Sequence, residues 1–154
     1  MTGPIARGQA RVRDDTYLLQ AIALAAQSRA AGDPPFGSVV VHAAGAVLRG
    51  ERNTVTTDQD ITAHPELKLA KWAARNFDEH MRRSLTLFTS CQPCPMCVNV
   101  IARARIGRVV YALSTEQLRE LKPLGYVDPD AATVRYSGPA LHAEAIVPVL
   151  DYYS

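Results

Sequence analysis

Leu85-Thr86-Leu87-Phe88-Thr89-Ser90-Cys91-Gln92-Pro93-Cys94-Pro95-Met96-Cys97 reads as a strand that runs directly into a helix. Leu85 to Thr89 is apolar and rich in strand-forming residues. Pro95 then follows Cys94, and proline suits the first helical position because the N–H it lacks has no partner there. Val98, Ile101 and Ala102 continue on helical spacing. Cys94 and Cys97 therefore share the first turn of a helix, and a separation of three aims both side chains at one point. Thirty residues before Cys94, His64-Pro65-Glu66 repeats the pattern. There a potential ligand precedes a proline, and a helix is expected through Leu67, Ala70, Lys71 and Ala74 to about Asn76. At both helix starts the backbone N–H groups and the dipole favour a thiolate over a thiol.

One imidazole and two thiols form a Cys2His set, which holds zinc and leaves the fourth tetrahedral position open for water. Glu66, two residues beyond His64, can point into such a site without binding the metal. Two other readings exist for the cysteines. A C-x2-C pair can be two buried core residues, but the His-x-Glu upstream and the prolines at both helix starts favour a metal site. Cys91, Cys94 and Cys97 also spell C-x2-C-x2-C, an iron–sulfur spacing. The chain has only 3 cysteines, one short of a cluster.

Composition sets the frame. A chain of 154 residues suits one domain with a real core. Hydrophobic residues make up 47% and charged residues 21%, a globular balance. The net charge of +2 gives little attraction to nucleic acid. No apolar run approaches the roughly 18 residues of a membrane span, and no signal-peptide core opens the chain. Three clustered cysteines are not a disulfide framework, so the cytoplasm is the expected compartment.

The two motifs together, His64-Pro65-Glu66 and Pro93-Cys94-Pro95-Met96-Cys97, resemble the signature of the cytidine deaminase superfamily, His-x-Glu followed by Pro-Cys-x-x-Cys. The run Thr89 to Cys97 is most similar to the guanine deaminase-like nucleobase deaminases, and tRNA adenosine deaminases are similar too. The resemblance covers roughly residues 14–112. It implies a Zn2+ cofactor held by His64, Cys94 and Cys97, with Glu66 as the catalytic proton carrier. It implies hydrolytic deamination of a free aminated heterocycle such as guanine, cytosine, isocytosine or an amino-triazine. It implies further that Asn53 holds the substrate ring, that Phe36 packs on it and that Asp128 is an acidic pocket residue. Members of this kind form homodimers that swap C-terminal segments. Residues 148–154, with Tyr152 and Tyr153, are placed to complete a partner's pocket. Cys91 is expected beside the pocket but off the metal. Two positions depart from the commoner pattern. Pro65 stands where Ala or Cys is usual, and Gln92 where Glu is usual; both leave room for a ring smaller than guanine.

Along the chain, residues 1–13 are expected to be a flexible basic start. Asp14 or Asp15 caps a helix to about Ala31, and two strands follow, Phe36–Val41 and Ala46–Gly50. Further strands are expected at Leu85–Thr89, Ile106–Ala112 and Thr133–Tyr136. The alternation of elements predicts a three-layer α/β/α sandwich around a mixed five-stranded sheet. His142-Ala143-Glu144 spells a His-x-Glu as well, but it follows the cysteines instead of preceding them, so it is set aside. Two other functions stay open at this point. A tRNA adenosine deaminase needs a basic docking surface, and a non-catalytic zinc-stabilised domain needs a fourth protein ligand.

Overall fold

A computed structural model describes the backbone of residues 4–131 and 133–154, and the side chains from residue 13 on except at residue 132. The elements run α1 (Pro4–Ala30), β1 (Gly37–Val41), β2 (Val47–Arg52), α2 (Val55–Asp58), α3 (Pro65–Asn76), α4 (Glu79–Arg83), β3 (Thr86–Cys91), α5 (Pro95–Arg103), β4 (Arg108–Leu113), α6 (Thr115–Glu120) and α7 (His142–Ile146). Among the described residues the sheet has four strands in the order β2-β1-β3-β4. β1 is antiparallel to β2 and β3, whereas β3 and β4 run parallel across the α5 connection. The sheet is thus mixed.

Strand alternation sorts the core into two halves. Val39 and Val41 of β1 and Phe88 of β3 pack beneath α1 with Tyr17, Leu18 and Leu24. Val40 and Leu87 point the other way, into a core with Leu69, Ala70 and Ala73 of α3 and Cys97 and Ile101 of α5. The sandwich is therefore α1, then sheet, then α3 with α5, as the alternation of elements predicts.

Gly37, the first residue of β1, lies where α1 crosses closest. A Cβ there would meet the Ala21 carbonyl oxygen, with Leu24 Cβ at 2.5 Å and the Ala25 nitrogen at 2.6 Å. The obstacles are mostly backbone, so the helix would have to lift. Gly37→Ala should destabilise the fold by about 1–3 kcal/mol, the usual range for overpacking. Urea unfolding of the variant and the parent measures this; an unchanged midpoint would contradict the close approach.

Two expectations are corrected. The first helix begins at Pro4 instead of Asp14. Ala6, Arg7, Gln9, Ala10 and Arg11 are good helix formers, and Pro4 fits the first turn. Residues 1–3 lie outside the described residues. The expected fifth strand is absent among the described residues. Thr133 to Tyr136 pairs with nothing, and Val134 and Tyr136 are 70% and 87% exposed. A four-residue run between Pro129 and Gly138-Pro139 lacks the neighbouring strand that would make it one. The chain closes with a short helix, His142–Ile146, and a 3-10 turn at Val147–Val149.

Candidate active site

His64 and Cys94 are the N-cap residues of α3 and α5, each in extended conformation with a proline next to it at the helix start. Their carbonyls accept the first helical bonds, from Lys68 and Val98. Their side chains do not cap the helices, so both are available for a ligand. Cys97, one turn into α5, is fully buried. The sheet brings these elements together, because β3 ends at Cys91 and delivers α5 beside the start of α3.

The His64 Nδ1 lies 3.6 Å from Cys94 Sγ and 3.5 Å from Cys97 Sγ. All three donor atoms fall within 4.8 Å of one another. A tetrahedral zinc with Zn–S near 2.3 Å and Zn–N near 2.05 Å requires about 3.6 Å between nitrogen and sulfur. The donor set fits the ion in chemistry and in spacing. Among the described residues no fourth His, Cys, Asp or Glu joins the group.

The titration behaviour agrees. Cys94 is held down to about 4, chiefly by the hydrogen bond from Cys97 and then by His64. Cys97 is pushed up, because it keeps the proton that it donates to Cys94 and because it is buried. His64 is raised by its hydrogen bond with Cys94, against the opposing effect of burial. Without metal, the cluster therefore holds protons at the places where a cation would sit.

Glu66 is 5% exposed. Burial raises its carboxyl above the ordinary value, and a hydrogen bond from Thr89 partly offsets this. Thr89 Oγ1 donates to Oε1 at 2.9 Å. The other oxygen, Oε2, stands 3.8 Å from Cys97 Sγ and so faces the metal-ligand cluster.

A family profile for the cytidine and deoxycytidylate deaminase zinc-binding region matches residues 11–113. The chain belongs to that family. Guanine deaminase of Bacillus subtilis is 39% identical over 99 residues, 64% of this chain and 63% of that protein's length. A Schizosaccharomyces pombe protein named "Probable cytosine deaminase" is 32% identical over 151 residues, 88% of this chain and 90% of its own. The X-ray structure of the Bacillus subtilis guanine deaminase superposes with a TM-score of 0.71 at 30% identity, covering 88% of this chain and 90% of that one. The zinc-binding character of the family and the geometry of His64, Cys94 and Cys97 agree on Zn2+ as the metal.

The other expected site residues are placed as follows. Asn53 is 1% exposed at the end of β2. Its backbone N–H donates to the Phe36 carbonyl at 2.9 Å, which ties these two residues together. Its Oδ1 accepts from Val55 N–H at 2.9 Å, so it also makes the turn into α2. The next residue, Thr54, donates its N–H to the Ala63 carbonyl, which places the strand end beside His64. Phe36 is half-buried. Cys91 lies on the same face of β3 as Thr89 and is 8% exposed. Burial and then the charge of Glu66 raise its thiol.

Asp128 accepts from Lys122 at 2.9 Å and from the Asp130 N–H at 3.0 Å. Asp130, two residues on, is exposed and within electrostatic reach of Cys94 and His64; desolvation, then the charge of Cys94, raises its carboxyl. Asp128 is the residue named from the sequence, and Asp130 lies in the same loop. Gln92 accepts from the Thr115 N–H at 3.0 Å, so this departure from the family pattern ties β3 to the start of α6. Tyr152 and Tyr153 stack edge to face at 4.8 Å and are 76% and 85% exposed. His142 is exposed and stands at the start of the five-residue α7, away from the three-donor cluster.

Proposed function

We propose that this chain hydrolytically deaminates a free aminated nucleobase or related heterocycle, with guanine the first candidate and cytosine or isocytosine next. One observation carries the reading: a buried carboxylate, Glu66, presents Oε2 to a three-donor zinc site that no fourth protein donor joins among the described residues. A structural zinc domain uses four protein ligands and has no need of such a carboxylate. Zinc, when bound, supplies Lewis acidity and brings the pKa of water toward neutrality. Glu66 takes one proton from the attacking water and delivers it to the ring nitrogen. It then carries the proton of the new hydroxyl to the exocyclic amine. The C–N bond breaks, ammonia leaves and a carbonyl remains. Asn53 offers an amide to the ring edge, Phe36 an aromatic face, and Asp130 with Asp128 a carboxylate for ring N–H groups.

We propose in addition that the working unit is a homodimer. Residues 133–154 are exposed throughout, including Leu141, Val147, Leu150, Tyr152 and Tyr153. The outer edge of β4 has no neighbour among the described residues. A second copy covers these surfaces and lets the tyrosines reach its pocket. The cytoplasm, where free bases occur, is the proposed compartment; no described helix is long and apolar enough to cross a membrane.

Ammonia release by the zinc-loaded protein tests the reading. Guanine, cytosine, isocytosine, an amino-triazine, the matching nucleosides and an adenosine-containing anticodon stem form the panel. Turnover of a free base is expected, with a sedimentation mass of two chains. Turnover of the stem alone would replace the reading with tRNA editing. Bound zinc without any turnover would reduce the chain to a zinc-stabilised domain.

A further inference from the structure

The face of the sheet that packs on α3 and α5 carries Val40 of β1 and Leu87 of β3. The next residues along that face are Ser38 and Thr89, which are direct partners across the β1–β3 pair. Neither has any solvent exposure. Two buried hydroxyls at the end of an apolar face need partners, because burial of an unpaired polar group is destabilising. They find them in series. Ser38 Oγ donates to Thr89 Oγ1 at 2.8 Å, and Thr89 Oγ1 donates to Glu66 Oε1 at 2.9 Å.

Each hydroxyl has one proton to donate, and an ionised carboxylate only accepts. Thr89 therefore directs its proton to Oε1, and its oxygen receives the proton of Ser38. The direction of the chain is set by Glu66. The consequence is geometric. Oε1 is occupied on the sheet side, which leaves Oε2 as the oxygen facing Cys97 and the metal ligands. We propose that Thr89, backed by Ser38, is a positioning residue for proton transfer: it pins one oxygen of Glu66 so that the other meets the attacking water. This rests on the deaminase reading of Glu66. A purely structural role, as a lock on the β1–β3 register, would instead affect stability and leave the split between kcat and KM untouched.

The test uses the zinc-loaded full chain and the base that it turns over best. Thr89→Val keeps the shape and removes the hydroxyl. It should lower kcat by about 10- to 100-fold, the range for a hydrogen bond to a charged group, with KM changed by less than about twofold. Thr89→Ser restores the hydroxyl and should return kcat to within about threefold of the parent, with Ser38→Ala falling between the two. The double variant Ser38→Ala, Thr89→Val strands no hydroxyl and replaces Thr89→Val if that protein folds poorly. A second readout needs no turnover. With 13C-labelled glutamate, the infrared difference between parent and Glu66→Gln isolates the Glu66 carboxylate band. Thr89→Val should shift that band, and Thr89→Ser should not. Parent-like kcat in Thr89→Val, or an equal loss in the Val and Ser variants, would overturn the pin while leaving the deaminase reading intact. A silent parent with a Thr89-dependent band would remove the deaminase reading and keep the hydrogen bond.

Discussion

Glu66→Gln should keep its zinc and lose turnover by about 10²- to 10⁴-fold, the span attributed to a positioned general acid–base. Gln has the same shape, and its carbonyl oxygen can still accept from Thr89 Oγ1, which now bonds Oε1 at 2.9 Å. What changes is the other end. The atom 3.8 Å from Cys97 Sγ becomes an NH2 instead of Oε2, and an amide nitrogen cannot receive the proton of a water. Glu66 is not one of the three clustered donors, so metal content should match the parent. Elemental analysis and ammonia release on the same preparation check both halves. A Gln variant with parent-like turnover would end the proton-carrier role. Loss of zinc alongside activity would show that Glu66 supports the metal and not the proton.

The readable part of this site was local. A ligand, a proline and a helical periodicity sit next to one another at His64-Pro65 and at Cys94-Pro95, and each pair fixes its own N-cap without help from distant residues. The less readable parts depend on what lies across space. Thr133 to Tyr136 has the composition of a strand, yet a strand exists only beside another. Residues 4–13 contain three arginines spaced among alanines and Gln9, and their helix grows from the N-terminal side of a longer segment whose far half packs on the sheet. Ser38 and Thr89 appear in sequence as ordinary polar residues at strand ends. Only the β1–β3 register places them opposite each other and under Glu66. Alternation could have hinted at this, since both fall on the same face as Val40 and Leu87. Loop carboxylates carry no periodicity, so only the folded loop decides which of Asp128 and Asp130 is engaged by Lys122.

Cys97→Ser should weaken zinc binding by more than about 100-fold, since losing even an outer partner of a metal ligand costs 10- to 100-fold. The residue is fully buried. A serine hydroxyl stays protonated at neutral pH and cannot stand in for a thiolate. The protons supply a second signature. Cys94, held down to about 4, is already ionised at neutral pH. Cys97 and His64 are both raised, so both keep their protons to a higher pH than usual, and a metal must displace them. Zinc affinity in the parent should therefore rise with pH through the neutral range and fall as the medium is acidified. Competition with a chromophoric chelator between pH 5.5 and 8.5 measures this slope. Cys97→Ser, having lost one displaceable proton, should show a shallower slope as well as a weaker constant. Stability follows the same linkage. Zinc at a free concentration 100 times its dissociation constant stabilises a fold by about 2.7 kcal/mol. A chelator should thus lower the parent's Tm and leave that of Cys97→Ser almost unmoved. A Cys97→Ser protein that keeps stoichiometric zinc and the parent's slope would show that the metal is held by some other set of donors.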